Sequence, residues 1–299
     1  MRKFLVMMVL VAMIGGMAFA GGQGEGEAAT IQVAAQDVNE MVILAHMAQI
    51  LIEENSPYNA TVNTSFTGSS VLHQAMSGDE IDVYPTWTGT QLTGILRYEG
   101  DQMSAEDTWE YVKSGFEEEF GYTWSESLGF NNTYIMVVRE ETAEEYDLEV
   151  ASDLAGHAEN WTLAGDDNFD IRSDAYPGWS EHYGIEFDDV LPMQYGLIYR
   201  AVDAGEVDVA AAYSTDSRIA RMGLVMLPDD QEFFPAYNGA YVFSDEVIEE
   251  HSDVIELINS TLGGAISTEE MSALNVRYDD GEEAEDIARD WLTENGYID

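Results

Sequence analysis

The sequence predicts an α/β fold with buried sheets, and two observations carry that prediction. Short apolar runs of strand length alternate with segments of helical periodicity along most of the 299 residues, the pattern of strands covered by helices. The composition, 45% hydrophobic and 11% aromatic, supplies enough apolar surface for packed cores in spite of a large acidic excess. No internal repeat of 20–50 residues is visible.

Taken in order, Arg2 and Lys3, an apolar run over residues 4–14 and Ala18-Phe19-Ala20 read as the three parts of a secretory signal peptide, residues 1–20. The run is too short for a membrane span and ends in Gly15-Gly16. Residues 21–29 are a polar, flexible leader, and the remainder suits two lobes of roughly 100–150 residues each. A strand is expected over residues 31–35, then a helix through Met41, Leu44, Ala45, Met47, Ile50 and Leu51 with Asn39 as its cap. A second helix from Ser69 or Ser70 to residue 76 precedes a strand over 81–84 that ends at Pro85. Residues 105–120 form an amphipathic helix, and 134–139 a strongly apolar strand entered from the Asn131-Asn132 turn. Beyond it come a strand over 161–164 and helices over 175–183 and 195–204, the latter ended by Gly205. Strands over 207–212, 224–227 and 239–243 follow, and the tail carries two or three helices, with a capping box in Ser267-Thr268-Glu269-Glu270.

Fifty-eight acids against 11 basic residues give a net charge of −47, and loss of Arg2 and Lys3 with the signal makes it −49. Such a surface excludes nucleic acid as a partner, since phosphate binding needs basic residues. It is the surface expected of a protein working in high salt, where screening quiets self-repulsion. With no cysteine in the chain, disulfides, thiolate metal sites, cysteine nucleophiles and a lipid anchor on cysteine are all set aside, leaving a soluble protein held in a periplasm. Among the five histidines no metal-binding spacing occurs. Neither a Gly-x-Ser-x-Gly elbow nor a Gly-Lys-Ser/Thr phosphate loop is present. Paired acids such as Asp166-Asp167 and Asp229-Asp230 keep a secreted hydrolase open as a remote alternative, although chance pairs are expected among so many carboxylates. The expectation is therefore a protein that is not an enzyme and needs no cofactor or metal.

Five loop-like segments each present an aromatic or an arginine. Trp87 lies in Tyr84-Pro85-Thr86-Trp87-Thr88-Gly89-Thr90, and Tyr134 closes Gly129-Phe130-Asn131-Asn132-Thr133-Tyr134. Arg172 sits in Phe169-Asp170-Ile171-Arg172-Ser173-Asp174, Tyr213 opens Tyr213-Ser214-Thr215-Asp216, and Tyr237 ends Phe233-Phe234-Pro235-Ala236-Tyr237. Four aromatic faces and one guanidinium suit a small molecule with a quaternary ammonium at one end and a carboxylate at the other. Aromatic faces attract a cation that donates no hydrogen bonds, and the planar arginine fork grips a carboxylate bidentately. A betaine is such a molecule.

In their order and spacing these segments resemble the glycine betaine/carnitine/choline substrate-binding proteins of osmoprotectant ABC transporters, over about residues 31–292. The resemblance implies a type II periplasmic-binding-protein architecture with two crossings between lobes. Lobe 1 would comprise residues 30–131 and 236–299, and lobe 2 residues 132–235. It implies that Arg172 holds the ligand carboxylate, with Thr90 and Gln36 completing that end. Trp87, Tyr134, Tyr213 and Tyr237 would be the aromatic walls. It further implies a monomer that delivers its ligand to an ABC permease and its ATPase. A choline-preferring protein is the alternative within the class. The family usually has Tyr where this chain has Trp87, which keeps an aromatic wall but changes its width and removes a hydroxyl.

Overall fold

The computed structural model describes residues 28–100, 103–166, 169–170 and 175–299. The signal peptide, most of the leader and Arg172 lie outside the described residues. The chain builds two five-stranded sheets. Strands β1 (Thr30–Gln36), β2 (Asn59–Phe66), β3 (Val83–Trp87) and β4 (Thr123–Trp124) enter the first. The next five, β5 (Tyr134–Arg139), β6 (Thr162–Gly165), β7 (Asp189–Pro192), β8 (Val209–Tyr213) and β9 (Leu224–Leu227), make the second, and β10 (Gly239–Phe243) returns to the first. The orders are β2-β1-β3-β10-β4 and β7-β6-β8-β5-β9. β1 runs parallel to β2 and β3, whereas β10 runs antiparallel to both its neighbours. In the second sheet β6 is parallel to β7 and β8, and β5 is antiparallel to β8 and β9. This is the mixed α/β architecture expected.

The central strands of both sheets are buried on both faces, which is why they read as nearly unbroken apolar runs. Side chains alternate across a strand. Ile31, Val33, Val83 and Phe243 therefore pack against the helices Asn39–Asn55, Ser252–Leu262 and Ala284–Glu294. Their neighbours Ala34, Tyr84 and Val242 meet Leu72, Val112 and Phe116 on the opposite face. In the second sheet Met136, Val138, Val209 and Ala211 serve one core, and Val137, Ala210 and Ala212 the other.

The chain passes between the sheets twice, at residues 130–133 and 235–238, and the two passages are bonded side by side. Asn131 and Asn238 form an antiparallel bridge. Asn132 N donates to Tyr237 O (3.1 Å), and Gly239 N to Phe130 O (3.2 Å). Thr133 Oγ1 donates to Pro235 O (3.0 Å). Gly239 is required here, because a Cβ would stand 2.2 Å from the Phe130 ring.

The differences from expectation have local causes. Val38 occupies the N-cap of Asn39–Asn55, and Asn39 instead donates its Nδ2 to Asp279 Oδ1 (2.6 Å). β3 continues through Pro85, opposite Tyr241. Its pairing with β1 lies at Val33–Val83, before the proline. Thr88-Gly89-Thr90 opens the short helix Thr88–Gly94 rather than a turn. The tail holds four described helices, Asp245–Glu250, Ser252–Leu262, Thr268–Asp279 and Ala284–Glu294. The capping box is present: Ser267 Oγ accepts from Glu270 N (3.1 Å), and Ser267 N donates to Glu270 Oε2 (2.8 Å). Among the described residues no helix is long and apolar enough to cross a membrane.

Candidate functional site

A cavity of about 740 Å³ opens where the ends of β3, β5 and β8 meet the second passage between the sheets. Trp87, Thr90, Tyr134, Tyr213 and Tyr237 all line it. Each is placed by a different element. Trp87 ends β3, opposite Gly239, and Thr90 follows in Thr88–Gly94. Tyr237 lies in the returning passage, its backbone N–H bonded to Asn131 Oδ1 at 2.7 Å. Its ring rests on Gly89, where a Cβ would come within 2.8 Å of it.

Tyr134 begins β5 and Tyr213 ends β8, and antiparallel pairing puts them opposite each other. Their rings stack with centroids 4.7 Å apart and planes 28° from parallel. Phe169 and Phe234 pack against Tyr134 at centroid distances of 5.1 and 5.5 Å. Tyr213 Oη donates to Tyr134 Oη (3.0 Å), which donates to Asp166 Oδ2 (2.8 Å). Burial, then the neighbouring Tyr213 and Asp166, pushes the Tyr134 phenol well above its ordinary value. Tyr134 is thus held as a neutral phenol, and the two hydroxyls are anchored to each other and to Asp166.

Glu40, which the sequence reading did not single out, is buried in the cavity wall at the start of Asn39–Asn55. It accepts from Trp87 Nε1 (2.6 Å) and Asn132 Nδ2 (2.9 Å) on Oε1, and from Asn275 Nδ2 (3.2 Å) on Oε2. Burial raises its pKa above the ordinary value, against the opposing pull of hydrogen bonds from Thr215, Asn132, Trp87 and Asn275. The indole N–H of Trp87 thus makes a polar contact at the edge of the ring, in the cavity wall. Gln36, by contrast, is buried at the end of β1 and is not among the lining residues. The wall nearest it is made by Val38, Asn39 and Glu40. Glu40 had one distinguishing mark in the sequence: it is an acid directly preceding Met41-Val42-Ile43-Leu44, all of them core residues.

The far wall is polar. Arg218 forks onto Asp216, with Nε to Oδ1 at 2.8 Å and Nη2 to Oδ2 at 2.5 Å, and lies 4.3 Å over the Tyr199 ring. Arg221 reaches Val276 O (2.7 Å) and Asp280 (2.8 Å), and Ser217 Oγ bonds Asp279. These contacts join the segment after β8 to the helix Thr268–Asp279. The cavity therefore sits between the two sheets, aromatic on one side and rich in charge-paired groups on the other. Such a site can desolvate a cation that needs no hydrogen bonds and hold it by π-faces and dispersion.

Residues 29–294 match the substrate-binding domain of ABC-type glycine betaine transport systems. The carnitine transport binding protein OpuCC of Listeria monocytogenes is 38% identical over 281 residues, which cover 93% of this chain and 90% of that protein. A glycine-betaine-binding protein of Pseudomonas aeruginosa is 29% identical, covering 94% of this chain and 92% of its own length. The crystal structure of a glycine betaine/carnitine/choline ABC transporter component superposes with a TM-score of 0.85 at 35% identity, over 90% of this chain and 100% of that one. By sequence and by fold, this chain belongs to the family of substrate-binding domains of ABC-type glycine betaine transport systems.

Proposed function

We propose that this chain captures glycine betaine, or a close relative such as proline betaine or carnitine, outside the cytoplasmic membrane and delivers it to a membrane permease driven by a separate ATPase. The observation that carries the reading is the convergence of Trp87, Tyr134, Tyr213 and Tyr237 on one cavity. Their faces receive the trimethylammonium group, whose removal from water is inexpensive because it donates no hydrogen bonds. The carboxylate end falls to Arg172, helped by Thr90. The lobes are residues 30–131 with 236–299, and residues 132–235. A pocket shared between them binds best when they meet, so the ligand favours the closed form and the permease reads closure. The protein acts as a monomer, is exported by the signal peptide of residues 1–20, and stays soluble in the periplasm.

Calorimetric titration with glycine betaine, carnitine and choline tests this. One ligand per chain is expected, recovered unchanged, with betaine preferred to choline by at least about tenfold, or roughly 1.4 kcal/mol. The preference comes from Arg172: choline brings a hydroxyl where a guanidinium needs a carboxylate. Arg172→Ala then loses most betaine affinity and narrows the preference. Binding of none of the three by the wild-type protein refutes the reading, and turnover of a polymer substrate would replace it with a hydrolase.

A further inference from the structure

Glu40 is 2% exposed and carries its carboxylate into the cavity wall without a cation among the hydrogen-bond partners described for it. Three of its partners are neutral N–H donors drawn from separate parts of the chain, and the side chain of Thr215 is a fourth partner. Trp87 comes from the end of β3, Asn132 from the first passage between the sheets, and Asn275 from the helix Thr268–Asp279. The same Asn275 Nδ2 also donates to Thr215 O (3.0 Å), just beyond β8 of the second sheet. One carboxylate thus stands between an aromatic wall of the cavity and a hydrogen bond that spans its two sides.

We propose that Glu40 is a positioning residue for ligand capture: it sets the orientation of the Trp87 ring and, through Asn275, ties that orientation to the contact with Thr215 that closes the cavity. This rests on the reading that the cavity holds a quaternary ammonium against Trp87. An indole has a single N–H, lying in the ring plane at its edge. With the side chain anchored at its Cβ, fixing that N–H at 2.6 Å gives the ring a second fixed point and so sets which way its face looks. A buried carboxylate held only by dipoles is sensitive to each of them, since any lost donor leaves charge uncompensated in a medium of low dielectric. The first turn of Asn39–Asn55 adds its N-terminal dipole to the same end. Wall, passage and far side are therefore coupled through one group rather than held separately.

The change that separates positioning from packing is Glu40→Gln, which keeps the volume and removes the symmetry. A glutamine has one acceptor oxygen and one NH₂. With its oxygen on Trp87 and Asn132, its NH₂ faces Asn275 Nδ2, donor against donor. Asn275 relieves this by turning its Oδ1, which has no partner, toward residue 40, and then its Nδ2 is lost to Thr215 O. Four proteins decide the matter: wild type, Glu40→Gln, Trp87→Phe and the double variant. Subtracting the emission of each Trp87→Phe protein from its Trp87 counterpart isolates Trp87 from the other five tryptophans. Without ligand, Glu40→Gln is expected to shift that emission and make it more open to acrylamide quenching. With glycine betaine, Glu40→Gln is expected to weaken binding at least tenfold, and the double variant to lose little more than the weaker-binding single variant. Isolated Trp87 emission and quenching that match wild type, or losses that simply multiply, would overturn the proposal. Should wild type bind none of glycine betaine, carnitine and choline, the ligand reading falls on its own and the ligand-free emission alone decides for or against Glu40.

Discussion

Replacing Gly89 by alanine moves one wall of the cavity without touching its chemistry. The new Cβ would stand 2.8 Å from Tyr237 Cε1 and 2.9 Å from Cδ1 and Cζ, along one whole edge of the ring. Relief to an ordinary contact of about 3.4 Å displaces the ring by about 0.6 Å. Because the backbone of Tyr237 is tied to Asn131 (2.7 Å), the side chain must take most of that movement. A gap or overlap of this size forfeits roughly a quarter to a half of a contact whose full worth, for a desolvated cation on an aromatic face, is about 0.5–2 kcal/mol. The expected loss is about 0.1–1 kcal/mol, or up to a roughly fivefold higher Kd for glycine betaine by calorimetry. The fold should survive, since Gly to Ala within a helix contributes up to about 1 kcal/mol of stability and offsets the local strain. Tyr237→Ala, which deletes the face, should weaken binding more than Gly89→Ala does. If Gly89→Ala binds betaine as tightly as wild type or more tightly, Tyr237 is not a wall of the ligand site.

Further outcomes follow from features away from the cavity. Ser267→Ala removes the acceptor that holds Glu270 N at 3.1 Å, and should lower stability to urea by about 0.5–2 kcal/mol; no change would mean that the capping box contributes nothing. His73 lies half-buried against Phe116, Phe120 and Tyr122, and burial lowers its pKa below the ordinary 6.5. As pH falls through 6.5 the unfolded chain takes a proton that the folded one refuses, so stability declines until the lower folded value is passed and then levels. His73→Phe should lose less stability than wild type between about pH 7 and 5, and parallel denaturation profiles would refute this. Raising salt toward about 1 M should raise the unfolding midpoint of a chain with net charge −47, while the affinity for zwitterionic betaine stays nearly constant. A steep fall in affinity with an intact fold would instead indicate a simple cation held by surface acids.

Where local rules decide an element, the sequence shows it. The strand Tyr134–Arg139 is continuously apolar because both its faces are covered, and the helix Thr268–Asp279 starts where its capping box says it must. β2 escaped notice because Asn59–Phe66 is an edge strand, paired only with β1, and carries Thr61, Asn63 and Ser65 on its exposed side. Its pattern is that of a polar loop. Glu40 was hidden for a different reason: among 58 acids no single carboxylate stands out, and its role depends on Asn132 and Asn275, 92 and 235 residues away. The four aromatics were legible because each stands beside a strand end or passage, where glycine, proline and asparagine mark a change of direction. Gln36 shares that setting but is enclosed by the end of β1, and only the path of the backbone separates it from the neighbouring wall formed by Val38, Asn39 and Glu40.

The strand order of the first sheet also dictates the order in which the molecule can assemble. β10 lies between β3 and β4, so the centre of that sheet waits on a segment roughly 150 positions beyond its partner Trp87. The second sheet draws all its strands from residues 134–227 and can pair them among themselves. The middle of the chain is therefore free to form early, whereas the ends must be brought together across it at a larger loop-closure cost. Until β10 arrives, β3 has an open edge, the kind of surface through which unfinished chains pair with one another. Charge of a single sign opposes that encounter. The acidic excess that governs the response of the finished protein to salt thus also keeps half-built copies apart while the last strand is still on its way.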